Sequence, residues 1–145
     1  MRDPNPMFAI AVVLASLLLP IGPARGETPH DLLRHFEDVA RKDDPTFKGN
    51  PGRGESFYRT EHPTPTPAPA RASACAGCHS ADPRQPGRTR ANKQIKPLAP
   101  VSNGERFTDR VKVEKWFARN CGDGLGRDCT AAEKADFIAW LANLK

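Results

Sequence analysis

Two cysteines separated by two residues, followed at once by a histidine, form the most reactive stretch of this 145-residue chain: Cys75-Ala76-Gly77-Cys78-His79. In the order CxxCH, the thiols are spaced to add across the two vinyl groups of one haem, and the histidine is placed to bind its iron. Zinc would need two more ligands at a compatible spacing, and a thioredoxin-like use of the thiols would sit in a βαβ pattern that the chain lacks. One covalent haem c is therefore expected, anchored by Cys75 and Cys78, with His79 as its proximal ligand.

The far side of the iron has no ordinary donor. Both methionines, Met1 and Met7, lie in an N-terminal stretch that reads as a signal peptide, so the mature chain has no Met to complete the coordination. Residues Phe8 to Leu19 are apolar but too few for a span of about 18 to 20 residues. Ala24 and Gly26 put small residues at the two positions a signal peptidase reads, which predicts cleavage before Glu27. The expected division is residues 1–26 as signal peptide and 27–145 as one domain without a membrane span. An uncleaved anchor is the alternative, and MRDPNPM is weakly basic enough that translation from Met7 is another start. Export favours a periplasmic location, because haem attachment and stable disulfides belong outside the reducing cytosol.

About 119 mature residues suffice for one small core. The whole chain carries 22 basic and 17 acidic residues, and loss of the leader takes these to 20 and 16. The mild positive excess serves solubility or an acidic redox partner, and nothing resembles a nucleic-acid module.

Helices must position the motif. His30 to Arg41 spaces Leu32, Leu33, Phe36 and Val39 as one apolar stripe. His35 lies beside it; His35, His30 and His62 are iron-ligand alternatives for which a structural or surface role is commoner. Gly52 to Tyr58 looks like the glycine and aromatic signature of the helix before the haem motif in class I cytochromes c, where a small residue lets two helices cross closely. His62 to Ala70, with alternating prolines, reads as an extended surface excursion, and Asp82 to Gly104 as coil wrapping the haem edge. Phe107 to Asn120 reads as a helix capped by Thr108 or Asp109 and stopped by Gly122. Thr130 to Glu133 matches a capping box, opening a last helix whose apolar face is Phe137, Ile138, Leu141 and Leu144 with Trp140 at its margin. No segment alternates as a strand would, so the fold class is all-α.

Val113, Trp116, Phe117 and Asn120 follow at i, i+3, i+4 and i+7, which puts the Asn120 amide on an apolar face. A buried amide needs a partner, since leaving it unsatisfied costs about 1–3 kcal/mol. Haem iron is one candidate, and backbone near the helix end is the commoner alternative. Cys121 and Cys129 are the two remaining thiols. In an oxidising compartment they form a disulfide, whose loop is worth about 2.5 kcal/mol by chain entropy; free thiols or a redox-active pair are the alternatives.

Taken together, CAGCH, IKPLAP, ERFTD, VEKWFARNC and GRDCTAAEKADFIAWL, over about residues 75–143, resemble the sphaeroides haem protein (SHP) family of oxygen-binding class I c-type cytochromes. The resemblance implies a high-spin haem whose labile sixth ligand is Asn120, beside a disulfide joining Cys121 to Cys129. It also implies that the asparagine leaves on reduction and that O2, CO or NO then binds. Implied partners are a dihaem cytochrome c and a membrane-bound cytochrome b. The chain departs from the pattern at Asn92-Lys93, where Gly-Lys is expected; this puts a second asparagine near the haem, although the Asn120 motif matches better. The proline excursion is also longer than usual. The expected function is single-electron transfer with ligand binding in the reduced state. An oxygen or nitric oxide reductase is the alternative, but it would need positioned acid or base groups where the distal motif offers an amide and apolar neighbours. A gas sensor would need an output domain that is not visible.

Overall fold

Prolines at first turns and oxygen-bearing caps just before them decide where the helices begin. The computed structural model describes residues 26–63 and 74–145. The expected leader and most of the proline excursion lie outside the described residues. Helix α1 (Pro29–Ala40) starts at a capping box in which Thr28 and Asp31 satisfy each other's backbone. Helix α2 (Pro51–Arg59) is capped by Asn50, which accepts from the Arg53 N–H at 3.0 Å. The haem-type motif lies on a single turn, α3 (Ala76–His79), with Cys75 as its N-cap residue. Helices α4 (Arg110–Leu125) and α5 (Ala131–Ala142) complete the chain, α5 beginning at the predicted Thr130–Glu133 capping box.

The fold class is all-α, as expected, with two local differences. Strands β1 (Gly87–Arg88) and β2 (Gln94–Ile95) pair antiparallel in the stretch read as coil, with Gly87 opposite Ile95 and Arg88 opposite Gln94. Two residues per strand are too few for alternation to register. Helix α4 begins three residues later than expected, after Phe107 at φ 57°, and Asp109 is its cap. It also runs through Gly122. The left-handed residue that ends it is Gly126, at φ 68°, whose N–H donates to the Gly122 carbonyl at 3.1 Å.

α5 is the hub on which α1 and α2 both pack. Leu32 and Phe36 of α1 and Ile138 and Leu141 of α5 are fully buried. The crossing of α2 with α5 is closer than ordinary helices allow: a Cβ at Gly54 would overlap the Asp136 carbonyl oxygen and approach Trp140 Cβ to 2.9 Å. Tyr58, one turn on, fills the gap, its ring 4.9 Å from that of Trp140. Trp140 is consequently core, 5% exposed, rather than the marginal residue its helical position suggests. Two buried carboxylates brace the same corner. Asp136 accepts from the Asn50 N–H at 2.7 Å and from Arg53 Nε at 2.6 Å and Nη2 at 2.8 Å; Glu37 accepts from the Gly49 N–H at 2.9 Å and Arg41 Nη2 at 3.0 Å. Charged partners on both make burial affordable.

Candidate functional site

A one-turn helix cannot hold itself, so the geometry of α3 is imposed by its neighbours. From α2, the Tyr58 hydroxyl donates to the Ser80 carbonyl at 2.5 Å and Arg59 Nη1 donates to the Ala81 carbonyl at 3.0 Å. Ser80 itself turns the chain at φ 74°. On another side the ribbon lies directly on the motif: a Cβ at Gly87 would overlap the Cys78 carbonyl oxygen and come within 2.8 Å of His79 Cα. Glycine is required there by contact rather than by backbone angle. The segment beyond β2 is tied down in turn, Leu98 and Ala99 donating to the Pro83 carbonyl at 2.8 and 3.0 Å. Arg106 grips it too, donating from Nε to the Pro97 carbonyl at 2.9 Å and from Nη2 to the Lys96 carbonyl at 2.8 Å.

Cys75 and Cys78 are free thiols, half-buried, and Cys75 packs against the main core. Burial pushes the Cys75 thiol up to about 11. Burial first, and the nearby Arg106 charge second, push the His79 imidazole down to about 4, so it is neutral at physiological pH with a lone pair to give. Its Nδ1 is buried and has no hydrogen-bond partner among the described residues. Among the described residues, no group of three His, Cys, Asp or Glu side chains could cage a bare metal ion. A donor set of one neutral imidazole and two flanking thiols fits a metal delivered inside its own macrocycle, held covalently through Cys75 and Cys78.

The distal candidate lies elsewhere on the helix surface than expected. The buried row of α4 is Val113, Phe117 and Cys121, whereas Asn120 is exposed and Trp116 is 44% exposed. A stripe stepping by four from Val113 reaches Cys121, leaving Trp116 and Asn120 as the adjoining row. Asn120 is therefore not the buried amide that its spacing implied. It immediately precedes the bonded pair Cys121–Cys129, Cα atoms 5.6 Å apart, so the turn that carries it is tethered to the start of α5. The other histidines are engaged away from the motif or exposed. His35 faces Arg110, Nδ1 3.4 Å from Nη1, and His62 Nε2 lies 2.9 Å from the Phe57 carbonyl, while His30 is exposed. Asn92 is explained by its backbone: at φ 58° it occupies the left-handed turn of the ribbon, where asparagine is the usual substitute for glycine, and its Oδ1 accepts from Arg88 at 3.3 Å. Gly87 and Arg106 were not visible beforehand, because neither belongs to a ligand motif and only the contact reveals them.

A family model described as a domain of unknown function (DUF1924) matches residues 45–141. The cytochrome c-type protein SHP of Cereibacter sphaeroides is 40% identical over 133 residues, 90% of this chain and 95% of that protein. Cytochrome c'' of Methylophilus methylotrophus is 38% identical over 112 residues, 76% of each. Among solved structures, that of oxidised SHP, described as an oxygen-binding cytochrome c, superposes with a TM-score of 0.73 at 39% identity, covering 82% of this chain and all of that one. The oxidised cytochrome c'' crystal structure gives 0.70 at 36% identity, covering 81% and 94%. No helix among the described residues is long and apolar enough to cross a membrane.

Proposed function

This chain belongs to the DUF1924 family and, with it, to the SHP-type c cytochromes, and we propose that it is a periplasmic carrier of single electrons whose one covalent haem takes up a diatomic gas when reduced. The observation that carries the reading is the one-turn α3, where half-buried Cys75 and Cys78 precede a neutral His79 whose Nδ1 is buried; the assignment of Asn120 rests on the family resemblance, with the Cys121–Cys129 tether beside it as support. The haem supplies the one-electron couple and, once reduced, a place for O2, CO or NO.

The protein's part divides among few residues. Cys75 and Cys78 would form the two thioethers and His79 would give the metal a ring lone pair, the backbone of the turn being seated by the Gly87 strand and the Tyr58–Ser80 hydrogen bond. Asn120 would be the labile ligand: a neutral amide would hold ferric iron largely through its dipole, and less firmly once the charge on the metal falls by one unit. Residues 1–26 serve as the leader that takes the chain to the periplasm. A dihaem cytochrome c and a membrane cytochrome b are the proposed redox partners.

Absorption spectra of the matured protein test this. The expected result is a high-spin ferric spectrum and prompt CO binding after reduction; stable low-spin spectra in both states contradict a labile amide. Asn120→Ala is expected to keep the haem and change the ferric spectrum, and an unchanged spectrum rejects Asn120 as ligand. Sustained consumption of O2 or NO with an electron donor, beyond autoxidation, would move the reading to a reductase.

A further inference from the structure

The ribbon that lies on the CxxCH turn is basic throughout. Between Arg84 and Lys96 the chain carries five basic residues and no acidic one. Two are neutralised from outside: Arg84 pairs with Asp82 at 2.9 Å and Lys96 with Glu105 at 3.5 Å. Arg88, Arg90 and Lys93 have no carboxylate partner among the described residues, and all three are exposed.

Their display is built rather than loose. Thr89 N–H donates to the Lys93 carbonyl at 2.8 Å, Asn92 N–H to the Thr89 carbonyl at 2.9 Å, and Lys93 N–H to Thr89 Oγ1 at 3.1 Å. Arg88 Nη1 reaches across the turn to the Asn92 carbonyl and Oδ1, at 3.4 and 3.3 Å. At its other end the ribbon is seated on Cys78 and His79 through Gly87. Three uncompensated cations are thus held in a fixed turn whose base touches the residues that anchor the redox centre.

We propose that the tip of this ribbon, Arg88, Arg90 and Lys93, is the docking surface for an acidic redox protein, which it brings against the haem-anchoring side of the molecule. The proposal deepens the carrier reading and rests on it. Electron transfer needs a brief encounter at short range, and a small fixed patch of one sign accelerates such encounters without making them tight. The exposed large apolar side chains among the described residues, Val101, Val111 and Trp116, all lie outside the ribbon, whereas stable membrane attachment would require an apolar wedge on it.

The test uses the matured haem protein and two one-electron donors, an acidic reduced flavodoxin and neutral reduced lumiflavin. Arg90→Glu with Lys93→Glu reverses the tip; Lys42→Glu with Lys48→Glu, both exposed near α1, makes the same change in net charge away from it. At low ionic strength the tip variant should slow reduction by flavodoxin about tenfold while leaving lumiflavin unaffected, and the remote variant should change either rate by less than about twofold. The wild-type flavodoxin rate should fall steeply as salt is raised and the tip variant's should not. Equal slowing in both variants would mean net charge alone, and no slowing in either would mean no docking there; each overturns the proposal. So would binding to vesicles containing phosphatidylglycerol that is lost in the tip variant while the flavodoxin rates stay equal. If lumiflavin fails to reduce the protein, the carrier reading falls instead, and the same variants compared for binding to poly-glutamate still decide whether the tip recognises acidic protein.

Discussion

The close approaches of two glycines do more for this site than any ligand does for itself. Gly54 lets α2 lie against α5 so that Tyr58 can reach the Ser80 carbonyl, and Gly87 lets the ribbon rest on Cys78. In both cases the atom that an added methyl would strike is backbone, which cannot swing aside as a side chain can. Gly54→Ala should therefore cost about 3 kcal/mol, the upper end of overpacking penalties, because relief requires the two helices to part. Gly122, where an added Cβ meets nothing within 4 Å, is the internal control; Gly122→Ala, inside α4, should be neutral or stabilise by up to about 1 kcal/mol. Denaturant midpoints decide, and equal effects would remove the crossing argument. Of these residues, Gly54 and Tyr58 lie in the stretch Gly52 to Tyr58 that was legible as a helix-crossing pattern, although only the packing distinguishes Gly54 from Gly52 and Tyr58 from Phe57. Gly87 was not legible, because a contact between segments eight residues apart leaves no periodic trace.

The start of α5 was legible because Thr130 and Glu133 mark it by residue type and spacing. Thr28 and Asn50 likewise accept from backbone donors three residues on and fix the starts of α1 and α2, but the boundaries expected there follow the apolar and glycine patterns alone. The end of α4 was not legible, because Gly122, Gly124 and Gly126 are equivalent as residue types and only tertiary contacts choose among them. The Cys121–Cys129 link supplies one such contact by anchoring the last turns of α4 to the residue before the α5 cap. The exposure of Asn120 follows from the same choice, since the buried row runs through Cys121 and turns the amide one position round. With a sequence separation of 8, the link should stabilise the fold by about 2.5 kcal/mol through the unfolded chain. Replacing both cysteines by Ala should lower the unfolding free energy from denaturant titration by that amount and speed amide exchange over residues 118–126 relative to α1. Faster exchange spread evenly over every helix would mean that the link stabilises the molecule without specially holding the end that carries Asn120.

At the scale of the molecule, the all-α class and the single core were legible from helical periodicity and chain length, whereas the distribution of charge on the folded surface was not. That distribution has a consequence in acid. Asp31, Asp44, Asp82 and Glu133 are all held below the ordinary carboxylate range: Asp31 and Asp44 chiefly by the hydroxyls of Thr28 and Thr46, Asp82 by Arg84, and Glu133 by Arg127, with the Thr130 cap helping. A carboxylate whose folded pKa is depressed gives its full stabilisation above the unfolded value, and loses it as pH falls through the folded one. The unfolded chain starts to take up protons near 4.5 for Glu and 3.8 for Asp, so the stabilisation from the four groups is constant above that range and declines as pH falls below it. Urea midpoints followed by far-ultraviolet circular dichroism should hence stay level from about pH 7 to pH 5.5 as far as these groups decide it, then drop steadily below about pH 4.5. Glu133→Gln should lose stability at neutral pH, where the Arg127 pair is broken, and should show a shallower drop in acid because one of the four protons is no longer taken up. A steeper acid drop in that variant, or a wild-type midpoint that rises on acidification, would mean that the network from Arg127 through Glu133 to the α5 cap is not where the charge-dependent stability of this end of the molecule resides.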